Sequence, residues 1–334
     1  MEKEFLHISS SFTVKNYNHK HKSLWNDFLE QSKNGTFLCH RDFMEYHKDR
    51  FQDHSLLIFK NEKLVALFPA NIKNHIIYSH QGLTYGGLIV GKNSSFKTIL
   101  KAFKSVLESI ESHGIEELII KPTPRMYHTR PSDEMDYLLF KLQAQLIRRD
   151  LSLAIDTIQP IKISSSNRKR GLKKAYKNNL VIKEEQDLEP FWNLILIPNL
   201  EEKYGVEPVH TLEEISYLKS KFPKNIRQFN VYKDNNIVAG TTVFETEKVA
   251  HAQYISANNT RQKLGSLDLL FHHLIHEVYA TKPYFDFGIC GENRGQQINS
   301  GLQAWKESFG ASSISHDFYS VFTRNHRLLN DILI

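Results

Sequence analysis

The pattern of apolar and polar residues predicts helices and strands that alternate along the whole chain. Apolar residues that recur every three or four positions predict amphipathic helices, and short alternating or apolar runs predict strands. In the first half, the predicted helices cover residues 23–29, 41–48, 94–112 and 133–144, and the predicted strands cover residues 55–60, 63–72, 116–122 and 152–158. In the second half, the predicted helices cover residues 167–177, 191–203, 212–221, 267–280 and 301–310, and the predicted strands cover residues 179–185, 227–236, 237–247, 251–257 and 284–288.

The order of these elements repeats in outline between the two halves. Each half has helices, a meander of antiparallel strands with a tight polar turn, a helix, a strand and a further helix. The polar turns are centred near Asn61 in the first half and Asn235 in the second. We therefore expect an α/β (α+β) chain of two tandem domains, residues 1–158 and 159–334, each with a mixed, mostly antiparallel sheet flanked by helices.

Length and composition agree with two folded domains. The chain has 334 residues, more than the roughly 250–300 at which a single hydrophobic core usually stops growing. Hydrophobic residues make up 40% of it and charged residues 24%, as in ordinary globular proteins. No apolar run reaches the roughly 18–20 residues that span a bilayer, and the amino terminus lacks the apolar core of a signal peptide, so we expect a cytoplasmic protein. Cys39 and Cys290 are expected to be reduced, partly buried thiols.

The net charge of +6 is concentrated in residues 167–177. The basic residues of this segment are Arg168, Lys169, Arg170, Lys173, Lys174 and Lys177. At helical spacing they cover most of the helix surface, which could face the phosphates of a nucleotide-linked substrate, a transfer RNA or an anionic membrane. The alternative is a solvated helix in a mildly basic protein.

Several segments of the second half resemble known acyltransferases. The hairpin, the next strand, the helix after a Gly-containing turn and the following strand occur in the order seen in the Gcn5-related N-acetyltransferases (GNAT). Residues 302–310, LQAWKESFG, are similar to the F-K-x-x-F-G ending of Fem-type peptidoglycan aminoacyl transferases, with Trp305 where phenylalanine is common. The doubled arrangement resembles the Fem-type proteins as well, and so do residues 85–91 and 121–131. The resemblance implies two GNAT-like domains and transfer of an acyl group to an amine.

Two features depart from these families. The GNAT donor loop usually reads Arg/Gln-x-x-Gly-x-Gly/Ala, whereas the loop that starts here at Gln262 keeps Gly265 but ends in Leu267. Fem-type enzymes that bind peptidoglycan precursors often insert a long helical hairpin in the second half, and no charged heptad stretch of that length is visible here. The donor therefore stays open between acyl-CoA, which we favour, and an aminoacyl-tRNA.

The turn over residues 261–266 is the predicted donor site. Backbone N–H groups are unpaired at the start of a helix and can bind pyrophosphate, and basic side chains add positive charge. The residues expected to bind the donor are Arg261, Gln262, Lys263, Gly265 and Ser266. A Gly-containing turn that binds nothing is the alternative.

Three residues are candidates for catalysis. The resemblance implies that Lys306 offsets negative charge during transfer, although a surface lysine could also occupy this helix face. Asp286 interrupts an apolar strand, where it could orient the amine, accept its proton if its pKa is raised, or pair with a basic residue. Tyr254 alternates with Ala252 and Ser256 along the strand expected to line the donor cleft, so its hydroxyl could contact a carbonyl or a leaving group. An ordinary core tyrosine is equally compatible with that pattern.

Further residues are candidates for holding the acceptor. Tyr85, Arg125 and His128 lie in loop-like positions of the first half, from which they could contact an acceptor bound between the halves. Arg168, in the basic segment, is the candidate from the second half.

The 17 histidines do not predict a metal site. His272 and His276 have the i, i+4 spacing of a zinc pair, but His273 stands where an H-E-x-x-H motif has glutamate. A partly exposed helical face explains these residues, and no metal is expected.

Together these features favour an N-acyltransferase that uses acyl-CoA as co-substrate. The acceptor would be the amine of a cell-envelope precursor or amino sugar, small or lipid-linked. One alternative is an aminoacyl-tRNA-dependent Fem-type ligase, and another is a non-catalytic module that binds RNA or anionic lipid. No DNA partner and no integral membrane segment are expected.

Overall fold

The computed structural model describes residues 11–159 and 165–334. The chain forms two compact units, Met1–Arg148 with Asp317–Ile334, and Arg149–His316. The boundary predicted after residue 158 falls inside the second of these units.

The first unit contains four α-helices, one four-stranded sheet and part of a second sheet in the described part of the chain. Its helices are α1 (Lys22–Glu30), α2 (Arg41–Met44), α3 (Phe96–Ser112) and α4 (Glu134–Lys141). Its strands are β1 (Phe12–Asn16), β2 (Gln52–Asp53), β3 (Leu56–Lys60), β4 (Lys63–Phe68), β5 (Asn71–Lys73), β6 (Ile76–Tyr78), β7 (Ile89–Val90) and β8 (Glu117–Ile120), and β9 (Gln145–Asp156) follows them.

Among the strands of the first unit that the structure describes, pairing is antiparallel except between β6 and β8. One sheet has the order β1-β3-β4-β7. Elsewhere β6 pairs with β5 and runs parallel to β8, with α3 on the connection between them. The apolar face of α3 accounts for this placement, because Phe103, Val106 and Leu107 are buried in one cluster with Phe68 and Leu118.

The second unit continues with seven helices among the described residues. They are α5 (Ser166–Lys177), α6 (Glu189–Phe191), α7 (Ile197–Tyr204), α8 (Leu212–Lys221), α9 (Arg261–Leu264), α10 (Ser266–His273) and α11 (Ser300–Glu307). The remaining strands are β10 (Val181–Glu185), β11 (Ile226–Lys233), β12 (Asn236–Glu245), β13 (Val249–Ala257), β14 (Tyr284–Ile289), β15 (Gly291–Glu292), β16 (Gln297–Ile298) and β17 (Ser312–Phe322).

The main sheet of this unit repeats the plan of the first unit. Its strands are ordered β10-β11-β12-β13-β14-β9, and only β13 and β14 run parallel. Helices α9 and α10 connect that parallel pair, as α3 does between β6 and β8. Leu270 and Phe271 of α10 are buried in one cluster with Ala252, Phe285 and Phe287 of the two strands. The repeated order predicted from the sequence is therefore present.

Both predicted hairpins form through the same kind of turn. Asn61 and Glu62 have φ of 45° and 67°, and Asp234 and Asn235 have φ of 49° and 64°. Two consecutive left-handed residues make the turn whose twist matches that of the flanking strands. Asn and Asp tolerate this conformation better than most residues, which is why the polar turns were readable in the sequence.

Two predicted helices are interrupted by π-helical turns. The helix predicted over residues 191–203 has a π turn at Trp192–Leu196 before α7 begins. Pro198 explains it, because proline has no N–H and its ring crowds the carbonyl four residues earlier. The helix predicted over residues 267–280 is α10 followed by a π turn at Leu274–Val278.

Two expectations from the sequence concern membrane-spanning helices and the cysteines. None of the helices within residues 11–159 and 165–334 has the length and apolar character needed to cross a bilayer. Cys39 and Cys290 are both buried free thiols.

Candidate functional site

Strands β13 and β14 pair over only part of their length. Val249–His251 of β13 lies beside Tyr284–Asp286 of β14, and beyond those residues the strands have no common register. We call the point just after His251 and Asp286 the fork. Past the fork, β13 keeps β12 on one side, while its other edge has no strand partner among the described residues.

A cleft of about 490 Å³ lies at the open end of the fork. The separated part of β13 forms one wall through Ile255, Ser256 and Ala257. The other lining residues are Asn199, Leu200 and Lys203 of α7, Arg261 and Gln262 of α9, Leu267 and Asp268 of α10, Arg168 of α5, and Asn299, Gly301, Leu302 and Trp305 at α11. The cleft therefore joins an unpaired strand edge to the beginnings of α9, α10 and α11.

The charged groups of the cleft give it positive character. Arg168, Lys203 and Arg261 are its cations, and Asp268 is its acid. A guanidinium nitrogen of Arg168 lies 2.7 Å from a carboxylate oxygen of Asp268, and the guanidinium lies 5.1 Å from the ring centre of Phe309. The remaining cations, Lys203 and Arg261, leave a surplus of positive charge that favours phosphate-bearing ligands.

The predicted donor turn is more compact than a loop. Residues Arg261–Leu264 make one helical turn, and Gly265, at φ 73°, joins it to α10. Of the turn residues, Arg261 and Gln262 line the cleft, whereas Lys263, Gly265 and Ser266 lie outside its lining.

Helix α5 packs against Gly265. A methyl group added to Gly265 would collide with the carbonyl oxygen of Gly171 in α5, and one added to Gly171 would collide with the Asp268 carboxylate. Gly265 therefore allows the backbone of α5 to approach the start of α10 closely. Burial raises the pKa of Asp268, although Arg168 opposes this, and the carboxylate accepts the backbone N–H of its own residue at the start of α10.

Asp286 is fully buried at the fork and is surrounded by hydrogen-bond donors. It accepts the Ser152 hydroxyl at 2.7 Å, the Gly288 N–H at 2.8 Å and Nδ1 of His251 at 2.8 Å. Burial alone would raise its pKa, but the His251 imidazole and these hydrogen bonds outweigh burial and hold the pKa below its usual range. A proton-accepting Asp286 would need a raised pKa, which these surroundings do not provide, whereas the alternative expectation, pairing with a basic residue, matches the contact with His251.

His251 is the fork residue that the sequence reading missed. Its ring sits beside Gly288, where an added methyl group would come within 3.2 Å of the imidazole Cε1. Alternation along residues 250–252 signals that one residue faces away from the core. No pattern in the sequence shows that Asp286 is its neighbour on the adjacent strand, because that pairing depends on the register of β13 and β14.

Lys306 is almost completely buried next to the same strand. Its ammonium donates to the carbonyl oxygens of Gly288 at 2.8 Å and Ile289 at 2.7 Å. Burial lowers the pKa of Lys306 to about 8, and the Asp286 carboxylate partly opposes that shift. An ammonium has three N–H groups, so one remains for a further acceptor.

Tyr254 shares a face of β13 with Ser256, as predicted, but not with Ala252. A bulge in β13 pairs Val243 with Ala252 and Thr242 with Tyr254, so Gln253 is an extra residue. The prediction that Tyr254 shares a face with Ala252 is therefore wrong. Its hydroxyl lies 2.6 Å from Nδ1 of His210, and it is not among the groups that line the cleft.

The candidates of the first unit are held by local contacts. The buried Tyr85 hydroxyl donates to Thr36 at 3.1 Å, and Nε2 of His128 lies 2.9 Å from the Thr123 carbonyl. Arg125 forms ion pairs with Asp133 and Asp136. Arg125 and His128 line a cavity of about 20 Å³, which is room for about one water molecule. Their roles toward an acceptor stay predictions.

The histidines of α10 do not assemble a metal site. The rings of His272 and His276 lie 4.7 Å apart, while His273 bonds Glu277 at 2.8 Å. Across residues 11–159 and 165–334, no three His, Cys, Asp or Glu side chains come together as a group that could hold a metal ion.

The two units and the forked sheet define a tandem GNAT-like fold of the Fem type. No family model matches the sequence, and no curated protein sequence matches it. Solved structures do match. The structure of FemX is similar with a TM-score of 0.67 at 10% identity, covering 95% of this chain and 99% of that one.

Two further structures support the same fold. The L-PGS from Bacillus licheniformis has a TM-score of 0.58 at 14% identity, with 93% of each chain covered. A tandem GNAT protein from the clavulanic acid biosynthesis pathway has a TM-score of 0.51 at 11% identity, covering 94% of this chain and 99% of that one. The predicted fold class and the predicted Fem-like resemblance are confirmed as statements about the fold.

Proposed function

We propose that the protein is an N-acyltransferase that binds a phosphate-bearing acyl donor in the cleft and transfers its acyl or aminoacyl group to an amine at the fork. The observation that carries the proposal is that the cleft and the fork share two elements. The cationic cleft is lined by the end of β13 and by Trp305 of α11, and the same strand and helix carry His251 and the buried Lys306 at the fork. Such a site anchors a donor by charge and holds its carbonyl near an ammonium.

Acyl-CoA is the favoured donor. Its flexible arm contains amide groups, and the edge of β13 beyond the fork, which has no strand partner among the described residues, is where such an arm could lie as an added strand does. Its phosphates would lie near Arg261, Lys203 and Arg168, which line the cleft.

The favoured acceptor is an amine of a cell-envelope precursor or amino sugar. The names of FemX and L-PGS among the similar structures support an envelope-related acceptor by analogy of fold. Two N–H groups of the Lys306 ammonium donate to the Gly288 and Ile289 carbonyls. The third would stabilise the oxyanion that forms when the amine attacks the acyl carbon.

The direct test is transfer by the purified protein. Acetyl-CoA and longer acyl-CoA species are mixed with amino sugars, their nucleotide-linked forms and amine-bearing envelope precursors, and free thiol release is measured with and without each amine. Amine-dependent thiol release and a new amide product are the expected result. If neither acyl-CoA nor an aminoacyl-tRNA binds at micromolar concentration or is consumed, the proposal is overturned.

An aminoacyl-tRNA is the second candidate donor, and the surface of α5 favours it. Five basic side chains of α5 are exposed: Lys169, Arg170, Lys173, Lys174 and Lys177. Arg168 of the same helix lines the cleft, so the basic surface continues into the donor site. Consumption of aminoacyl-tRNA in place of acyl-CoA, with binding that weakens steeply as salt is added, would identify this donor.

A non-catalytic module that binds RNA or anionic lipid is the third reading. It uses the basic surface of α5 alone and predicts that binding is unaffected by changes at Lys306 or Asp286. The variants described below therefore separate it from both catalytic readings.

The cleft cations make a prediction about donor affinity. Arg261→Gln is expected to raise the Kd for acyl-CoA by about three- to tenfold and to weaken its salt dependence, because one screened charge contact of about 1 kcal/mol is lost. Lys263→Gln is the matched control, since Lys263 is exposed on the same helical turn but lies outside the cleft lining. Titration calorimetry at two salt concentrations measures both. Equal effects of the two substitutions would place the donor on the turn as a whole and contradict the cleft assignment.

A further inference from the structure

We propose that His251 is the general base that takes the proton from the attacking amine, and that Asp286 is its positioning residue. This inference rests on the proposed acyl transfer. It assigns the proton-accepting step to a side chain that lies at the closed end of the fork, where β13 and β14 make their last shared contact.

The hydrogen bond between these residues determines which imidazole nitrogen is basic. Nδ1 of His251 lies 2.8 Å from an oxygen of Asp286. An ionised carboxylate only accepts hydrogen bonds, so Nδ1 carries a hydrogen, and in the neutral imidazole Nε2 carries the lone pair. The imidazole is thereby fixed in one tautomer, with its acceptor nitrogen turned away from the carboxylate.

Asp286 is itself held rigidly, which makes it an effective positioning group. The Ser152 hydroxyl and the Gly288 N–H both donate to its other oxygen. Its side chain is 0% exposed, whereas that of His251 is 16% exposed. The carboxylate is thus sealed inside the sheet, and the imidazole is the member of the pair that can meet a substrate.

The local backbone brings the imidazole to the reaction centre. Ala250, Ala252, Phe285 and Phe287 belong to the core packed on α10, so strand alternation puts His251 and Asp286 on the opposite face. Gly288, at φ 75°, has no side chain to block the imidazole, and its carbonyl accepts the Lys306 ammonium at 2.8 Å. One glycine therefore lies beside the imidazole and accepts a hydrogen bond from the ammonium.

The distance along the strand suits a donor that enters from the cleft. Ser256 lines the cleft, and an extended strand from there to His251 spans roughly 17 Å. A donor arm along β13 beyond the fork delivers its acyl carbon to the fork, where the ammonium and the imidazole flank it.

The proposed step balances in atoms and charge. The neutral amine attacks the acyl carbon, a C–N bond forms, and the nitrogen's excess proton passes to Nε2 of His251. Lys306 holds the oxyanion until the bond from the acyl carbon to the leaving sulfur breaks. The imidazolium then gives its proton to the departing thiolate, which leaves as the free thiol, and the neutral imidazole is restored. With an aminoacyl-tRNA, a ribose oxygen replaces sulfur as the leaving atom.

A matched histidine provides the control. His273 also bonds a carboxylate through Nδ1 at 2.8 Å. Its partner, Glu277, lies only four residues further along the chain, and the His273 side chain is 30% exposed. His273 therefore has the same pairing of imidazole and carboxylate but does not lie at the fork.

The experiment measures kcat and KM for the full chain with the donor and acceptor that the wild type uses. His251→Asn keeps an N–H that can reach Asp286 but removes the base. We expect its kcat to fall by about a hundredfold or more with the donor KM little changed, whereas His273→Gln stays within about twofold of wild type. Added imidazole should restore part of the rate to His251→Ala but not to Lys306→Met, and Asp286→Asn should lower kcat while retaining donor binding.

The outcomes separate this inference from the proposed function. If the wild type transfers acyl groups and folded His251→Asn keeps its kcat, the role of His251 is overturned and acyl transfer stands. The same conclusion follows if imidazole gives no rescue of folded His251→Ala. If the wild type transfers from neither donor, both proposals are overturned.

Discussion

Replacing Lys306 with methionine is expected to reduce kcat by about 10²–10³-fold while leaving the fold intact, because it removes an ammonium aimed at developing negative charge. The effect on stability should be small. Burial disfavours the charged form of Lys306 and lowers its pKa to about 8, so an apolar side chain of similar length removes that penalty. Against this gain, the carbonyls of Gly288 and Ile289 lose their donor.

Lys219 offers a close control for this substitution. It is also a buried lysine whose pKa is lowered by burial, and its ammonium donates to the Ile226 carbonyl at 3.1 Å. Lys219→Met should therefore change the free energy of unfolding by a similar amount without affecting kcat. Equal losses of kcat in the two variants would show that Lys306 acts through the fold and not in the reaction.

The lowered pKa of Lys306 also predicts how rate and stability vary with pH. A reaction that needs the ammonium slows as pH rises through about 8, and that decline should be absent from Lys306→Met. For stability, the unfolded lysine holds its proton up to about pH 10.4, so between about 8 and that value the unfolded state binds more protons. The contribution of Lys306 to the free energy of unfolding therefore increases with pH between about 8 and 10.4. Lys306→Met should lose the increase, as urea unfolding at pH 7.5 and 9.5 would show.

Replacing Gly265 with alanine is expected to destabilise the second unit by about 3 kcal/mol or more. Two costs combine. At φ 73° an alanine side chain is strained, and its methyl group would collide with the backbone of Gly171 in α5. Backbone in a packed helix moves less readily than a side chain, so α5 must shift as a whole.

Gly205 isolates the second of these costs. It ends α7 at φ 62°, and an added methyl group there has nothing within 4 Å. Gly205→Ala should cost only about 1–2 kcal/mol, the strain of the left-handed conformation. Urea unfolding of both variants measures the difference. If Gly265→Ala unfolds like Gly205→Ala but loses donor affinity, Gly265 approaches a ligand and the packing explanation fails.

Local elements were largely readable from the sequence. Apolar spacing gave α1, α3 and α8, and the polar turns gave both hairpins, because each signal depends only on neighbours in the chain. Pro198 also predicts the π turn before α7, since the effect of proline on a helix is local. The Fem-like segments identified the correct fold.

The candidate site was only partly readable. Lys306 and Asp286 were singled out from the sequence, and both lie beside the fork, but the raised pKa that a proton-accepting Asp286 needs is not there, because a pKa depends on what surrounds the carboxylate. Tyr254 was expected to share a face with both Ala252 and Ser256, and a single bulge residue, Gln253, separates it from Ala252. Strand alternation predicts a face only while the register is unbroken.

What the sequence by itself determined is the succession of helices and strands, the doubled plan and the presence of a lysine and an aspartate near one strand. The tertiary structure alone decided that His251 meets Asp286 across 35 residues, that α5 closes over Gly265, and that β13 and β14 part to leave a cleft. The reason is physical: periodicity records which side of an element is buried, whereas register, bulges and helix packing decide which buried side chains touch.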